Sequence, residues 1–90
     1  MINKILRKSQ FKKDFKRILK QGKSLQDFEL VLDLLLEGSK LPDNMNDHLL
    51  IGNWNGCREL HIKTDWLLIY KIDDKTLSLI RTGSHSDLFD

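Results

Sequence analysis

One cysteine and one proline are all that these 90 residues contain of either type, and no apolar run approaches the roughly 18–20 residues a membrane span requires. A lone thiol, Cys57, can form no internal disulfide and no Cys-based zinc site, which excludes a disulfide-stapled secreted scaffold. The opening Met-Ile-Asn-Lys-Ile-Leu-Arg-Lys interleaves charge where a signal peptide needs an apolar stretch. These absences predict a protein of the reducing cytoplasm with no membrane partner. A strong excess of one charge is missing too: 15 basic and 13 acidic side chains leave a formal +2. Disorder is excluded in turn, because 40% hydrophobic and 31% charged residues are the proportions of a globular chain.

The small net charge conceals an uneven distribution. Residues 1–23 carry nine basic side chains against Asp14 alone, a net +8, and residues 24–90 carry six against twelve, a net −6. A chain this short predicts one domain, residues 1–90, that buries about 60–65% of its unfolded surface.

Residues 9–21 read as a helix, because Phe11, Phe15, Ile18 and Leu19 fall on one stripe at the 3.6-residue period. Ser9 is the expected N-cap and Gly22 the expected C′ residue. Lys12, Lys13, Lys16, Arg17 and Lys20 make the other face a basic one. Ser24 and Asp27 resemble a capping box that opens a second helix, whose Phe28, Val31, Leu32 and Leu35 form its stripe before Gly38. Two helices joined by Gln21–Lys23 predict an antiparallel hairpin on a common core. Residues 39–47, with Pro42, read as a loop. Residues 57–62 alternate, with Leu60 and Ile62 on one face and Glu59 and His61 on the other. The run 66–72 reads as a central strand, Asp73–Lys75 as a turn and Thr76–Thr82 as its hairpin partner. Residues 2–7 add an N-terminal strand. The predicted class is α+β, order β-α-α-β-β-β: a small antiparallel sheet with a two-helix hairpin on one face, leaving the opposite face for function.

Antiparallel pairing outward from the 73–75 turn places residue 66 near residue 82. Arg81 then lands beside Trp66, close to His61 and Asp65, with His85 following and His48 able to join from the loop. Histidine exchanges protons near neutral pH. A carboxylate can orient it or act as base, and arginine holds phosphate oxygens in a planar fork. Tryptophan offers a stacking face, although at the head of an apolar strand Trp66 also suits the core. Arg81 is in phase with Leu77 and Leu79, which requires a twist or a change of polarity near the end of that strand. Such a set suits metal-free RNA cleavage by the ribose 2′-OH.

Three segments carry a family resemblance: Asp47-His48-Leu49-Leu50-Ile51-Gly52, the stretch from Arg58 to Tyr70, and Arg81-Thr82-Gly83-Ser84-His85-Ser86-Asp87-Leu88-Phe89. In order and spacing they resemble the YafQ family of the RelE superfamily, mRNA interferase toxins of type II toxin–antitoxin systems. The resemblance implies a small sheet with two helices. It implies mRNA cleavage, typically on the ribosome, without metal or cofactor, and silencing by a cognate antitoxin through which DNA is reached. It assigns His85 as general acid, Arg81 as phosphate and transition-state stabiliser, Asp65 or His48 as base, and His61 as a further functional histidine. Trp66 and Phe89 match aromatic positions that shape the site. Many members have His-Pro-Leu where this chain has His48-Leu49-Leu50, so the loop carrying His48 is expected to be looser.

Two other classes compete. A non-catalytic module of the same fold would bind an antitoxin or RNA without cutting. A metal-dependent hydrolase would use the histidines and Asp65, but no close histidine pair supports it. On the basic helix, Lys12, Lys13 and Lys16 are expected to dock the protein on ribosomal RNA.

Overall fold

The computed structural model describes residues 2–89, and its element boundaries follow from local chemistry. Strand β1 (Lys4–Arg7) leads into helix α1 (Ser9–Lys20). Lys8, not Ser9, caps α1, because its N–H is still held by the Leu79 carbonyl at 3.0 Å while its own carbonyl receives the Lys12 N–H. The residue leaving the strand thus becomes the cap. Helix α2 (Leu25–Glu37) starts as its capping pattern predicts: the Ser24 hydroxyl accepts the Asp27 N–H at 3.3 Å, and Gly38 ends it in the left-handed region. Phe11 and Phe15 of α1 meet Phe28 of α2 with ring centroids 6.0 and 4.8 Å away, joining the hairpin.

Four more strands follow: β2 (His48–Leu49), β3 (Arg58–Lys63), β4 (Trp66–Asp73) and β5 (Thr76–Gly83). A short helix α3 (His85–Phe89) closes the described chain. The sheet order is β1-β5-β4-β3-β2. The expected antiparallel sheet is corrected at one edge, where β1 runs parallel to β5 and makes the sheet mixed. Both helices and three strands separate these partners in sequence, and so long a connection leaves either direction open. The β4–β5 hairpin turns through Asp74 and Lys75, both at positive φ, the geometry of a tight two-residue turn.

Pleating divides the core. Leu60, Leu68, Tyr70, Leu77 and Leu79 face α1 and α2, where Phe11, Ile18, Val31 and Leu35 cover them. Leu67 and Ile69 face the other way and pack with Leu88 of α3. Strand β4 is therefore buried on both sides, which explains its near-continuous apolar run. No helix among the described residues is long and apolar enough to cross a membrane.

Strand β5 carries a bulge. Tyr70 pairs with Leu79 but Ile69 pairs with Arg81, so Ile80 is an extra residue. The bulge resolves the phase conflict at Arg81: beyond it, Thr82 rather than Arg81 takes the position in line with Leu77 and Leu79.

Candidate active site

Strand register assembles the site on the face away from α1 and α2. His48, Glu59, Ile69 and Arg81 form one row across β2, β3, β4 and β5. His61, Leu67 and Gly83 form a row nearer the β3–β4 turn, and α3 begins two residues after Gly83. Gly83, at φ +156°, is required there: a Cβ would lie 3.0 Å from the Asp87 side chain and 3.2 Å from Arg17.

His85 opens α3, which is stapled by a reciprocal capping box. The Ser84 hydroxyl accepts the Asp87 N–H at 3.1 Å, and the Asp87 carboxylate accepts the Ser84 N–H at 3.0 Å. Asp65, on the β3–β4 turn, reaches across. Its Oδ1 accepts the backbone N–H of His85 at 3.1 Å and lies 3.1 Å from the ring Nδ1. A carboxylate at that distance places a proton on Nδ1 and leaves Nε2 to exchange protons. The two donors from His85, backbone first and ring second, hold the Asp65 carboxyl below its ordinary range. The ring of His61 stands 5.8 Å from that of His85, edge to face.

Behind the histidines lies Glu59, only 4% exposed. Its Oε1 is 3.6 Å from His48 Nε2 and 3.8 Å from His61 Nε2, so one carboxylate serves two rings. The Nδ1 of His48 donates to the Asn46 carbonyl at 2.7 Å, which turns Nε2 toward Glu59. The loop before His48 is pinned by Asp47, which accepts two bonds from Arg58 through Oδ2, at 3.1 and 2.9 Å, and the hydroxyl of Tyr70. Burial, reinforced by Asp47, raises the Tyr70 hydroxyl well above its usual pKa and keeps it a donor.

Arg81 is held from the helix layer. Strand β1 stops opposite Leu79, leaving the edge of β5 that faces away from β4 unpaired beyond that point, and the carboxylate of Asp14 fills that place. Asp14 accepts from Arg81 Nε at 2.7 Å, Arg81 Nη2 at 3.1 Å and the Thr82 N–H at 3.2 Å. Burial opposes its charge, but donors from Arg81, Gln10 and Thr82 outweigh that and lower its pKa. Arg17 lies 3.5 Å from both Asp14 and Asp87, linking α1 to α3.

A sequence profile of the family described as a bacterial toxin of type II toxin–antitoxin systems, YafQ, matches residues 3–90. The chain belongs to the YafQ family. It is 41% identical over 81 residues to the mRNA interferase toxin YafQ of Escherichia coli (strain K12), covering 89% of this chain and 88% of that protein. The E. coli DinJ–YafQ complex contains a chain that superposes with a TM-score of 0.90 at 37% identity, covering all of both chains. A copper-bound mutant toxin from Helicobacter pylori superposes at 0.91 and 39% identity, over 99% of this chain and all of that one.

Within this YafQ-family fold, His48, His61, Asp65 and His85 share one face, Asp65 touches His85, and the rings of His61 and His85 adjoin. Phe89, 42% exposed, places its ring 6.2 Å from that of His85. Trp66 is a correction. It is 1% exposed in the helix-side core and donates Nε1 to the Thr82 hydroxyl at 2.9 Å, so its faces cannot receive a base. Lys12, Lys13 and Lys16 are exposed on α1, in the layer across the sheet from the histidines. Arg17 leaves that basic face for its bridge to Asp14 and Asp87.

Glu59, Asp14 and the Asp47–Arg58–Tyr70 clamp escaped the functional reading of the sequence. Glu59 had a signal, since it alternates in phase with His61. So did Asp14, the one acid among nine cations. Glu59, His61 and His85 each bring one ligand atom to within 4.8 Å of the others, so they can hold a metal ion. The fold supplies that cluster without any closely spaced histidine pair in the chain, by bringing His85 to Glu59 and His61.

Proposed function

We propose that this chain, acting as one domain over residues 1–90, is the toxin of a type II pair that cleaves mRNA on the ribosome. The reaction is metal-independent attack by a ribose 2′-OH, in the cytoplasm, and a cognate antitoxin silences it and gives it its route to DNA. The observation that carries this reading is the Asp65–His85 pair, in which Nδ1 meets the carboxylate and Nε2, with no hydrogen-bond partner among the described residues, is left for proton transfer beside His61.

His85 acts as general acid, delivering the Nε2 proton to the departing 5′ oxygen. Asp65 fixes the ring and stabilises the imidazolium. Of the two base candidates, the geometry favours His48. A carboxyl held below its ordinary range is a weak base, whereas the His48 ring, with Nδ1 committed to the Asn46 carbonyl, keeps Nε2 as the nitrogen that can accept the 2′-OH proton. His61, on the same Glu59 oxygen, lies between the acid and the base and contacts the scissile phosphate. Arg81 stabilises the charge that builds on that phosphate, with Asp14 fixing its Nε edge. Expressed without antitoxin, wild type should arrest growth and His85→Ala should not. Equal arrest by both would refute the acid assignment, and arrest by neither would favour a binding-only module.

A metal ion at Glu59, His61 and His85 is a second reading, favoured by the convergence of those ligands and by the copper-bound H. pylori relative. An ion held by Glu59, His61 and His85 would occupy a ring nitrogen of each histidine and so compete with proton transfer there. Such a metal would inhibit.

A further inference from the structure

The buried position of Trp66 leaves open what receives a nucleobase beside the cleavage site. The second tryptophan answers this. Trp54 ends a short 3₁₀ turn (Gly52–Trp54) between β2 and β3. That loop is closed on itself: Leu50 N–H bonds the Cys57 carbonyl at 2.9 Å, Asn55 N–H the Gly52 carbonyl at 3.0 Å and Cys57 N–H the Trp54 carbonyl at 2.9 Å. Trp54 is half-buried, packed on the Leu67–Ile69–Leu88 cluster. Its ring meets Phe89 at 6.4 Å and 81°, edge to face. Asn53, Trp54, Leu88 and Phe89 line an open cleft of about 560 Å³.

Position on α3 ties this cleft to the chemistry. Phe89 follows His85 by four residues, so both rings lie on one helix face with centroids 6.2 Å apart. A group seated against Phe89 and Trp54 is therefore adjacent to the proton donor. The cleft joins two perpendicular aromatic walls to the exposed amide of Asn53, which can both donate and accept. Aromatic faces with one adaptable amide suit a flat, hydrogen-bonding ring.

We infer that Trp54 and Phe89 form the slot for the base of a nucleotide next to the scissile phosphate, with Asn53 contacting its edge. The inference rests on the ribonuclease reading above and supplies that site with a substrate-binding residue, Trp54. Stacking on an aromatic face is sequence-tolerant, so base preference in this slot falls to Asn53.

Trp54 and Trp66 are the two tryptophans, and only Trp54 is within reach of a ligand. Tryptophan emission of the full-length His85→Ala protein should therefore be quenched by a single-stranded RNA trinucleotide, and the quench should vanish in His85→Ala/Trp54→Phe. In active protein, Trp54→Leu keeps apolar bulk on the cluster but removes the π-face, and should lower kcat/KM by about 5- to 150-fold. Trp54→Phe should stay within several-fold of wild type. Leu and Phe variants that both cut as wild type would overturn the slot, and so would a quench that persists without Trp54. If Trp54→Leu melts at the assay temperature, the quenching pair alone decides. Wild type that binds with quenching but cuts no RNA would sink the ribonuclease reading and leave the slot standing.

Discussion

One oxygen of Asp65 accepts both the backbone N–H and the Nδ1–H of His85, across twenty residues of sequence. The first bond places the start of α3 and the second sets the ring's tautomer, so one carboxylate positions the proposed acid twice. Asp65→Asn offers an amide in place of the paired acceptor and should reduce kcat by ~10²–10⁴-fold while leaving RNA affinity unchanged. Single-turnover cleavage beside a binding titration checks this. The Asp65 carboxyl is held below its ordinary range, so its bond to His85 persists throughout neutral and mildly acidic pH. It is lost only as pH falls through that lowered value. A loss of activity between pH 7 and 5 would therefore not come from breaking this bond.

Asp14 ties the helix layer to the end of β5. Asp14→Ala leaves Arg81 without its carboxylate in a part-buried site, and should cost about 3–5 kcal/mol of stability in urea unfolding. The sign follows from its lowered pKa. The stabilisation is complete above the ordinary carboxyl pKa and disappears as pH drops through the folded value. The variant should accordingly show a flatter acid limb than wild type.

The loop carrying His48 has Leu49 where the family resemblance implies a proline, yet it is anchored one residue earlier. Asp47 accepts from both Arg58 and Tyr70. Tyr70→Phe removes the hydroxyl from a buried ring and should cost about 1.5–3 kcal/mol. It should also speed amide hydrogen exchange across residues 43–49 and lower cleavage, with α1 and α2 unchanged. Exchange rates equal to wild type in that loop would show that Tyr70 does not hold it.

Lys12, Lys13 and Lys16 point into solvent on α1, away from the histidines. Changing all three to Gln should weaken ribosome binding and reduce the slope of log K against log salt by about 2–3. Cleavage of a short RNA oligonucleotide should be unaffected. An unaltered salt slope would return that face to solvent.

Much of this architecture is legible in the chain because burial leaves a period behind. Phe11, Phe15 and Ile18 announce α1, and the run from Trp66 to Tyr70 announces a strand covered on both faces. The expected pairing of residue 66 with residue 82 is two residues out, because the turn has two residues rather than three and the bulge adds one. Thr82 pairs with Leu68 and Arg81 with Ile69, and only the side chain of Trp66 reaches Thr82. What escapes is whatever depends on a partner far away. A four-residue β1 carries no mark of its direction, and the bulge at Ile80 is invisible until β4 is alongside. The apolar run that it heads marks Trp66 for the core, against the site role that the resemblance implies, whereas nothing local marks Trp54. Trp66 fills the core, and Trp54, in an irregular loop, keeps a reachable face. Glu59 looks like any strand carboxylate until two histidines from different strands meet on it.

The central claim is that His48 takes the proton of the attacking ribose 2′-OH and His85 protonates the departing 5′ oxygen, without a metal. Its most direct test is the 3′ end left on RNA cut by purified protein in excess EDTA. The account predicts undiminished cleavage ending in 2′,3′-cyclic phosphate. Cleavage abolished by EDTA, or fragments ending in 3′-hydroxyl, would contradict it.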